Sequence, residues 1–180
     1  VIHRLATPDD AAAIARVYAP YVTDGFVSFE TEAPGEAEMR RRIESGGTLH
    51  PWLVVEIDCS VAGYASASPF RPRAAYRYAV ETSVYLDPAH CGRGIGRPLY
   101  ERLLALLERQ GFAQAIGAVS LPNEASVRLH EALGFTQAGV YRQVGWKCGR
   151  WLDVGLWQRA LAPATVPPTE PKPYAALWDG

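Results

Sequence analysis

One stretch constrains the fold of this chain more than any other: His90-Cys91-Gly92-Arg93-Gly94-Ile95-Gly96-Arg97. Upstream of it, Tyr78 to Leu86 is rich in β-branched and aromatic residues, as a strand requires. Downstream, Leu99, Leu103, Leu106 and Leu107 mark one apolar helix face, and Gly111 ends it. Closely spaced glycines between a strand and a helix let the backbone turn tightly and aim several N–H groups, with the positive end of the helix dipole, at one point. That arrangement suits a pyrophosphate, and Arg93 and Arg97 add charge. A Walker loop needs Gly-Lys-Ser/Thr where this chain has Gly96-Arg97-Pro98. A dinucleotide fingerprint needs a small residue at Arg97 or Leu99, and an acidic residue closing the next strand; neither is present. A glycine-rich turn with no ligand is the plain alternative.

The surrounding pattern is mixed α/β. Val1 to Leu5 reads as a short strand, and Thr7-Pro8-Asp9-Asp10 supplies helix-start chemistry. Ala13, Ile14, Val17 and Tyr18 follow at helical spacing, and Gly35 to Ser45 reads as a second, more polar helix. Trp52 to Ile57 and Val61 to Ser68 flank Asp58-Cys59-Ser60 as a hairpin. Ile116 to Ser120 reads as a buried strand, Asn123 to Leu133 as a helix stopped at Gly134, and two further strands fall around Val140 and Trp151 to Trp157. The expected division is one domain over 1–161 and a tail over 162–180, whose five prolines predict no regular structure.

Composition narrows the partners. With 180 residues, 48% of them hydrophobic, the chain can bury one sizeable core. A formal net charge of -1 gives no electrostatic reason to expect nucleic acid or an anionic membrane. No apolar run approaches the roughly 20 residues needed to span a bilayer, and no signal peptide is visible. Cys59, Cys91 and Cys148 are an odd set without a C-x-x-C pair, which predicts neither a disulfide framework nor a metal site and fits a reducing cytoplasm.

A second motif follows the glycine turn. Asn123-Glu124-Ala125-Ser126-Val127-Arg128-Leu129-His130-Glu131-Ala132-Leu133-Gly134-Phe135 is, in local terms alone, an N-capped amphipathic helix with a glycine stop. It also resembles the segment N-x-x-A/S-x-x-x-Y-x-x-x-G-F of the GNAT acetyltransferase superfamily. The preceding Cys91 to Gly96 resembles that superfamily's acyl-CoA loop, Q/R-x-x-G-x-G/A, with Cys91 in place of the usual Gln or Arg. Tyr78 to Leu86, Ser126 to Phe135 and Val144 to Val154 are similar to the phosphinothricin and methionine sulfoximine/sulfone N-acetyltransferases, as are Asp24 to Glu32 and Pro51 to Val54. The resemblance covers about residues 2 to 160. It implies an α/β (α+β type) GNAT fold: a central mixed, mostly antiparallel twisted sheet flanked by about four helices. It further implies a cytoplasmic homodimer that moves acetyl from acetyl-CoA to the α-amino group of a glutamate-like compound, with no metal.

Acetyl transfer to an amine requires a base for the ammonium, polarisation of the thioester carbonyl, and protonation of the departing thiolate. Strand alternation puts Glu81, Ser83 and Tyr85 on one face, and the resemblance makes that the active-site face. Glu81 is the candidate base, acting through water; a cross-strand salt bridge is its plain alternative. His130 stands where many GNAT enzymes carry a tyrosine beside the sulfur, and is the candidate donor to the thiolate. Backbone groups of Val84, Tyr85 and Leu86 are expected to meet the thioester and pantetheine arm. Gly92, Arg93, Gly94, Ile95, Gly96 and Arg97 are expected to meet the pyrophosphate, and Asn123 and Ser126 the pantetheine. Arg71 and Arg73, on a proline-containing loop before the catalytic strand, suit an acidic acceptor, with Phe29 and Tyr76 as walls. Trp146, Trp151 and Trp157 are candidates for the dimer's apolar contact. The competing functions are a GNAT enzyme for a polyamine, aminoglycoside or protein N-terminus, and a non-catalytic acyl-CoA-binding module.

Overall fold

The computed structural model describes residues 1–179. Seven strands form one sheet in the order β1-β2-β3-β4-β5-β7-β6. They are β1 (Ile2–Leu5), β2 (Trp52–Ile57), β3 (Ser60–Pro69), β4 (Ala79–Leu86), β5 (Gln114–Leu121), β6 (Thr136–Lys147) and β7 (Arg150–Ala160). The helices are α1 (Ala11–Thr23), α2 (Glu36–Ser45), α3 (Gly96–Gln110) and α4 (Glu124–Ala132). Every neighbouring pair is antiparallel except β4 and β5. That parallel pair needs a crossover, and α3 supplies it.

Alternation along β2 shows how the sheet is covered. Leu53 and Val55 pack with Leu99, Leu103, Leu107 and Phe112 of the α3 side, whereas Val54 packs with Ile14, Val17, Met39 and Tyr64 on the α1–α2 side. Both faces are therefore buried, which demands apolar residues at successive positions and explains the unbroken Leu53-Val54-Val55 run. A part-buried anchor ties the first elements together: the Arg4 guanidinium reaches both Asp10 oxygens at 2.7 and 2.8 Å and also Glu56 of β2. Burial pushes the Asp10 carboxyl up, but bonds from Arg4 and from Thr7 outweigh it and hold it below the usual range.

The feature that builds the site lies between β4 and β5. Their pairing runs only from Ala79–Gln114 through Val80–Ala115 to Glu81–Ile116. Beyond Glu81 the strands diverge, while β4 stays paired to β3 as far as Leu86. A wedge opens in the middle of the sheet.

The chain after Leu161 does not trail into solvent. Its described residues form no strand or α-helix, but they pack back on the domain and carry a 3-10 turn at Ala175–Leu177. Trp157 also departs from expectation: only 3% of it is exposed, in the core beneath β7, so it offers nothing to a partner surface. Trp146 and Trp151 are 60% and 58% exposed and stack edge-to-face across the β6–β7 hairpin, with ring centroids 5.3 Å apart.

Candidate active site

The wedge between β4 and β5 holds a cleft of about 390 Å³. One wall is Thr82 to Leu86 and the other is Ala118 to Ser120; the glycine turn lies at one end and the start of α4 at the other. Of the residues expected to hold an acyl carrier, Val84, Tyr85, Leu86, Gly92, Gly94, Gly96, Arg97, Asn123 and Ser126 all line it, as does His130. Arg93 and Ile95 do not; Ile95 packs toward the core instead.

The local reasons are legible. Gly92 and Gly94 have φ of +73° and +77°, the left-handed region that costs a side-chain-bearing residue about 1–2 kcal/mol. Gly96 is tight for another reason: a Cβ there would lie 3.2 Å from Leu86 Cδ1. Glycine thus lets α3 start against the end of β4, with its unpaired N–H groups facing the cleft. Asn123 caps α4, its side-chain oxygen accepting from Ser126 N at 3.1 Å. Arg97 is bonded to Glu101 one turn on. Cys91 lines the cleft with Tyr21, whose hydroxyl lies 3.5 Å from the sulfur and donates to Leu86 O at 2.6 Å. Neither contact of Cys91, the second being Asp87 O, is to a base that would make it a nucleophile.

Glu81 and His130 fall on opposite faces of the sheet. Thr82 bonds Tyr100 of α3, so by alternation Glu81 faces the α1–α2 side, with Ser68 as its neighbour on β3. Among the described residues no ion pair engages Glu81. Burial pushes its carboxyl up, opposed by the positive field of Arg71.

His130 is 4% exposed, and both of its ring nitrogens are occupied. Nδ1–H donates to Ser126 O at 2.8 Å, and Nε2 accepts from the Tyr100 hydroxyl at 3.2 Å, which in turn lies 2.6 Å from Thr82 Oγ1. Burial lowers its pKa, so the ring is neutral near pH 7. Its lone pair and its single proton are thus both bonded inside the protein, at the end of the cleft. A Cβ at Gly117 would lie 2.4 Å from Nε2, so the glycine in β5 makes room for this ring.

A second cavity, about 260 Å³, lies on the α1–α2 face. Its walls are aromatic: Trp52 stacks on Tyr64 at 5.4 Å, Tyr64 meets Tyr85 at 5.5 Å, and Tyr18 meets Tyr85 at 4.9 Å. Ser66, Ser68 and Ser83 supply hydroxyls, and Arg42 lies at its edge, already engaged bidentately by Glu30. Ser83 and Tyr85 line both cavities, so the two meet across β4.

This aromatic chamber is not legible in the sequence. Tyr18 reads as ordinary helix core, and only the β2–β3–β4 register brings Trp52, Tyr64 and Tyr85 together. Arg71, Arg73 and Tyr76 lie on the exposed loop before β4, outside either cavity, with Arg71 over the Phe70 ring at 5.0 Å. Phe29 is not a cavity wall. It packs over Gly145 of β6, where a Cβ would meet its ring at 2.2 Å. The segment before α2 is held to the β6–β7 hairpin there, and Lys147 completes the junction by donating to Val22 O and Ser28 O at 2.7 Å.

A split parallel strand pair, an unpaired strand edge, and a glycine turn feeding a helix N-terminus together define an acyl-CoA-dependent transferase. The donor set fits acetyl-CoA, with N–H groups for the pyrophosphate at one end of the cleft and a strand edge for the arm. The chain belongs to the acetyltransferase (GNAT) family, whose model matches residues 14–135. It is 42% identical over 169 residues, 93% of this chain and 92% of the other, to a phosphinothricin N-acetyltransferase of Streptomyces viridochromogenes. It is 37% identical to an L-methionine sulfoximine/L-methionine sulfone acetyltransferase of Salmonella typhimurium, over 91% of this chain and 96% of that one. A phosphinothricin acetyltransferase from Sinorhizobium meliloti, solved in complex with acetyl-CoA, superposes with a TM-score of 0.88 at 38% identity, covering 95% of this chain and 92% of that one. Among the described residues no three His, Cys, Asp or Glu side chains cluster as a metal site would need, and no helix is long and apolar enough to cross a membrane.

Proposed function

We propose that this enzyme acetylates the α-amino group of a small amino-acid-like acceptor of the phosphinothricin, methionine sulfoximine or methionine sulfone type, by direct transfer between two bound substrates. The observation that carries the reading is the meeting of the two cavities at Ser83 and Tyr85, with Glu81 on the same strand face. A donor entering through the wedge and an amine entering from the α1–α2 side reach one point from opposite directions.

Acetyl-CoA supplies the acetyl group and a thiolate leaving group. Glu81, kept basic by burial, takes a proton from the acceptor's ammonium through water and frees the nitrogen lone pair to attack the carbonyl carbon. N–H groups on the unpaired edge of β4 polarise the carbonyl oxygen as the carbon–sulfur bond breaks. A thiol of ordinary pKa, about 8.5, departs well enough as thiolate to be protonated afterwards from water. His130, through Tyr100 and Thr82, holds the cleft wall in register. The acceptor's carboxylate is assigned to Arg71 and Arg73 at the mouth, and its side chain to the aromatic chamber. We further assign the exposed Trp146–Trp151 pair to a homodimer contact, and the protein to the cytoplasm.

The test is an acceptor panel with a free-thiol readout: phosphinothricin, methionine sulfoximine, methionine sulfone, spermidine and an unblocked peptide. Turnover confined to the first three supports the reading. Preferential turnover of the polyamine or the peptide overturns it.

A further inference from the structure

The C-terminal segment runs between the 46–50 turn, which borders the aromatic chamber, and the end of the loop before β4. On one side, Gln110 at the end of α3 donates through Nε2 to both Lys172 O and Leu49 O at 2.8 and 2.9 Å, and its own backbone carbonyl accepts from Lys172 N. Tyr174 N donates to Thr48 O at 3.0 Å. These bonds fix the 46–50 turn, whose Gly46 and His50 line the chamber. Trp178 packs against the core and Asp179 pairs with Arg109, so this end is firmly seated.

On the other side, the Glu170 carboxylate takes three bonds from the Arg77 guanidinium, at 2.8 to 3.0 Å, and one from the Tyr78 hydroxyl at 2.7 Å. Arg77 also lies over the Tyr78 ring at 4.5 Å and donates to Ala74 O at 3.1 Å, inside the loop that carries Arg71, Arg73 and Tyr76. A single exposed ion pair fixes little. Here one carboxylate gathers four charge-assisted bonds at the point where the arginine loop becomes β4, two residues before the strand and four before Glu81.

We propose that residues 162–179 form a strap that sets acceptor recognition, with Glu170 as the positioning residue that holds the Arg71–Arg73 loop where it runs from the chamber-lining Pro69 to β4. The proposal rests on the acceptor site assigned above. Glu170 touches no substrate; it acts through Arg77 and Tyr78 on where the guanidinium groups of Arg71 and Arg73 point. Its effect therefore falls on the acceptor and not on acetyl-CoA, whose cleft lies beyond β4.

The full chain is compared with Glu170→Gln, Glu170→Asp and Arg71→Ala, using methionine sulfone as acceptor. Hydrogen exchange of the 70–78 peptide is followed in parallel with acetyl-CoA saturating. Glu170→Gln is expected to raise the acceptor KM about three- to tenfold with kcat and the acetyl-CoA KM nearly unchanged, and to speed exchange in 70–78; Glu170→Asp recovers most of both. Unchanged exchange in Glu170→Gln overturns the strap, and that measurement needs no acceptor. A parallel rise of both KM values with a lowered Tm also overturns it, because it marks a general structural role. If Arg71→Ala leaves the acceptor KM unchanged, the acceptor-site reading fails; if it raises that KM while Glu170→Gln does not, the strap alone fails.

Discussion

Glu81 is a carboxylate in a half-buried strand position with no ion pair among the described residues and one arginine, Arg71, acting on it from the loop before β4. Its two opposed influences give a signed prediction. A base must be deprotonated to act, and burial raises the pH at which this one is. The acid limb of kcat/KM should therefore stand above the ordinary glutamate range. Arg71→Ala removes the field that favours the charged form, so the limb should move to higher pH, read from a pH–rate profile. Glu81→Gln should lower kcat by about 10²-fold or more while calorimetry shows acetyl-CoA still bound. Undiminished acetylation by that variant would remove the proposed base. His130, the candidate donor to the thiolate, lines the cleft with its nitrogens bonded to Ser126 O and the Tyr100 hydroxyl.

At the scale of elements, the glycine turn was legible because its constraint is local. Left-handed backbone at Gly92 and Gly94 is a property of three or four residues, and a sequence shows it directly. Gly94→Ala has open space for its methyl, so its cost is conformational alone; it should raise the KM for acetyl-CoA several-fold and leave the acceptor KM unmoved in steady-state kinetics. The aromatic chamber was not legible because it is made by register: Trp52, Tyr64 and Tyr85 are far apart in sequence and become one wall only when β2, β3 and β4 pair. The packing of Phe29 is hidden for the same reason, since its partner, Gly145, lies in a distant strand. The anchor at the head of the fold has its own test. Asp10 is held below its unfolded pKa, so its contribution is fully present above about pH 3.9 and is lost as pH falls through the folded value. Asp10→Asn should cost about 1–3 kcal/mol in urea unfolding at neutral pH, the gap to the parent closing in acid.

At the scale of the whole molecule, the sheet is covered on both faces at β2, but the β6–β7 hairpin displays Trp146 and Trp151 to solvent. If these form the assigned homodimer contact, sedimentation should give twice the 19.7 kDa chain mass, and Trp146→Glu/Trp151→Glu should give the monomer with its acetyl-CoA cleft intact. The early parting of β4 from β5 has a different consequence. A row of strand backbone groups without a strand beside it is what folded proteins normally hide, because another chain can pair there and seed aggregation. This enzyme keeps such an edge at its centre, and its donor substrate is the natural cover. Solubility should thus track ligand: filled to about 100 times Kd, the cleft adds about 2.7 kcal/mol to stability. Thermal aggregation followed by light scattering should be delayed by CoA far more than by the acceptor.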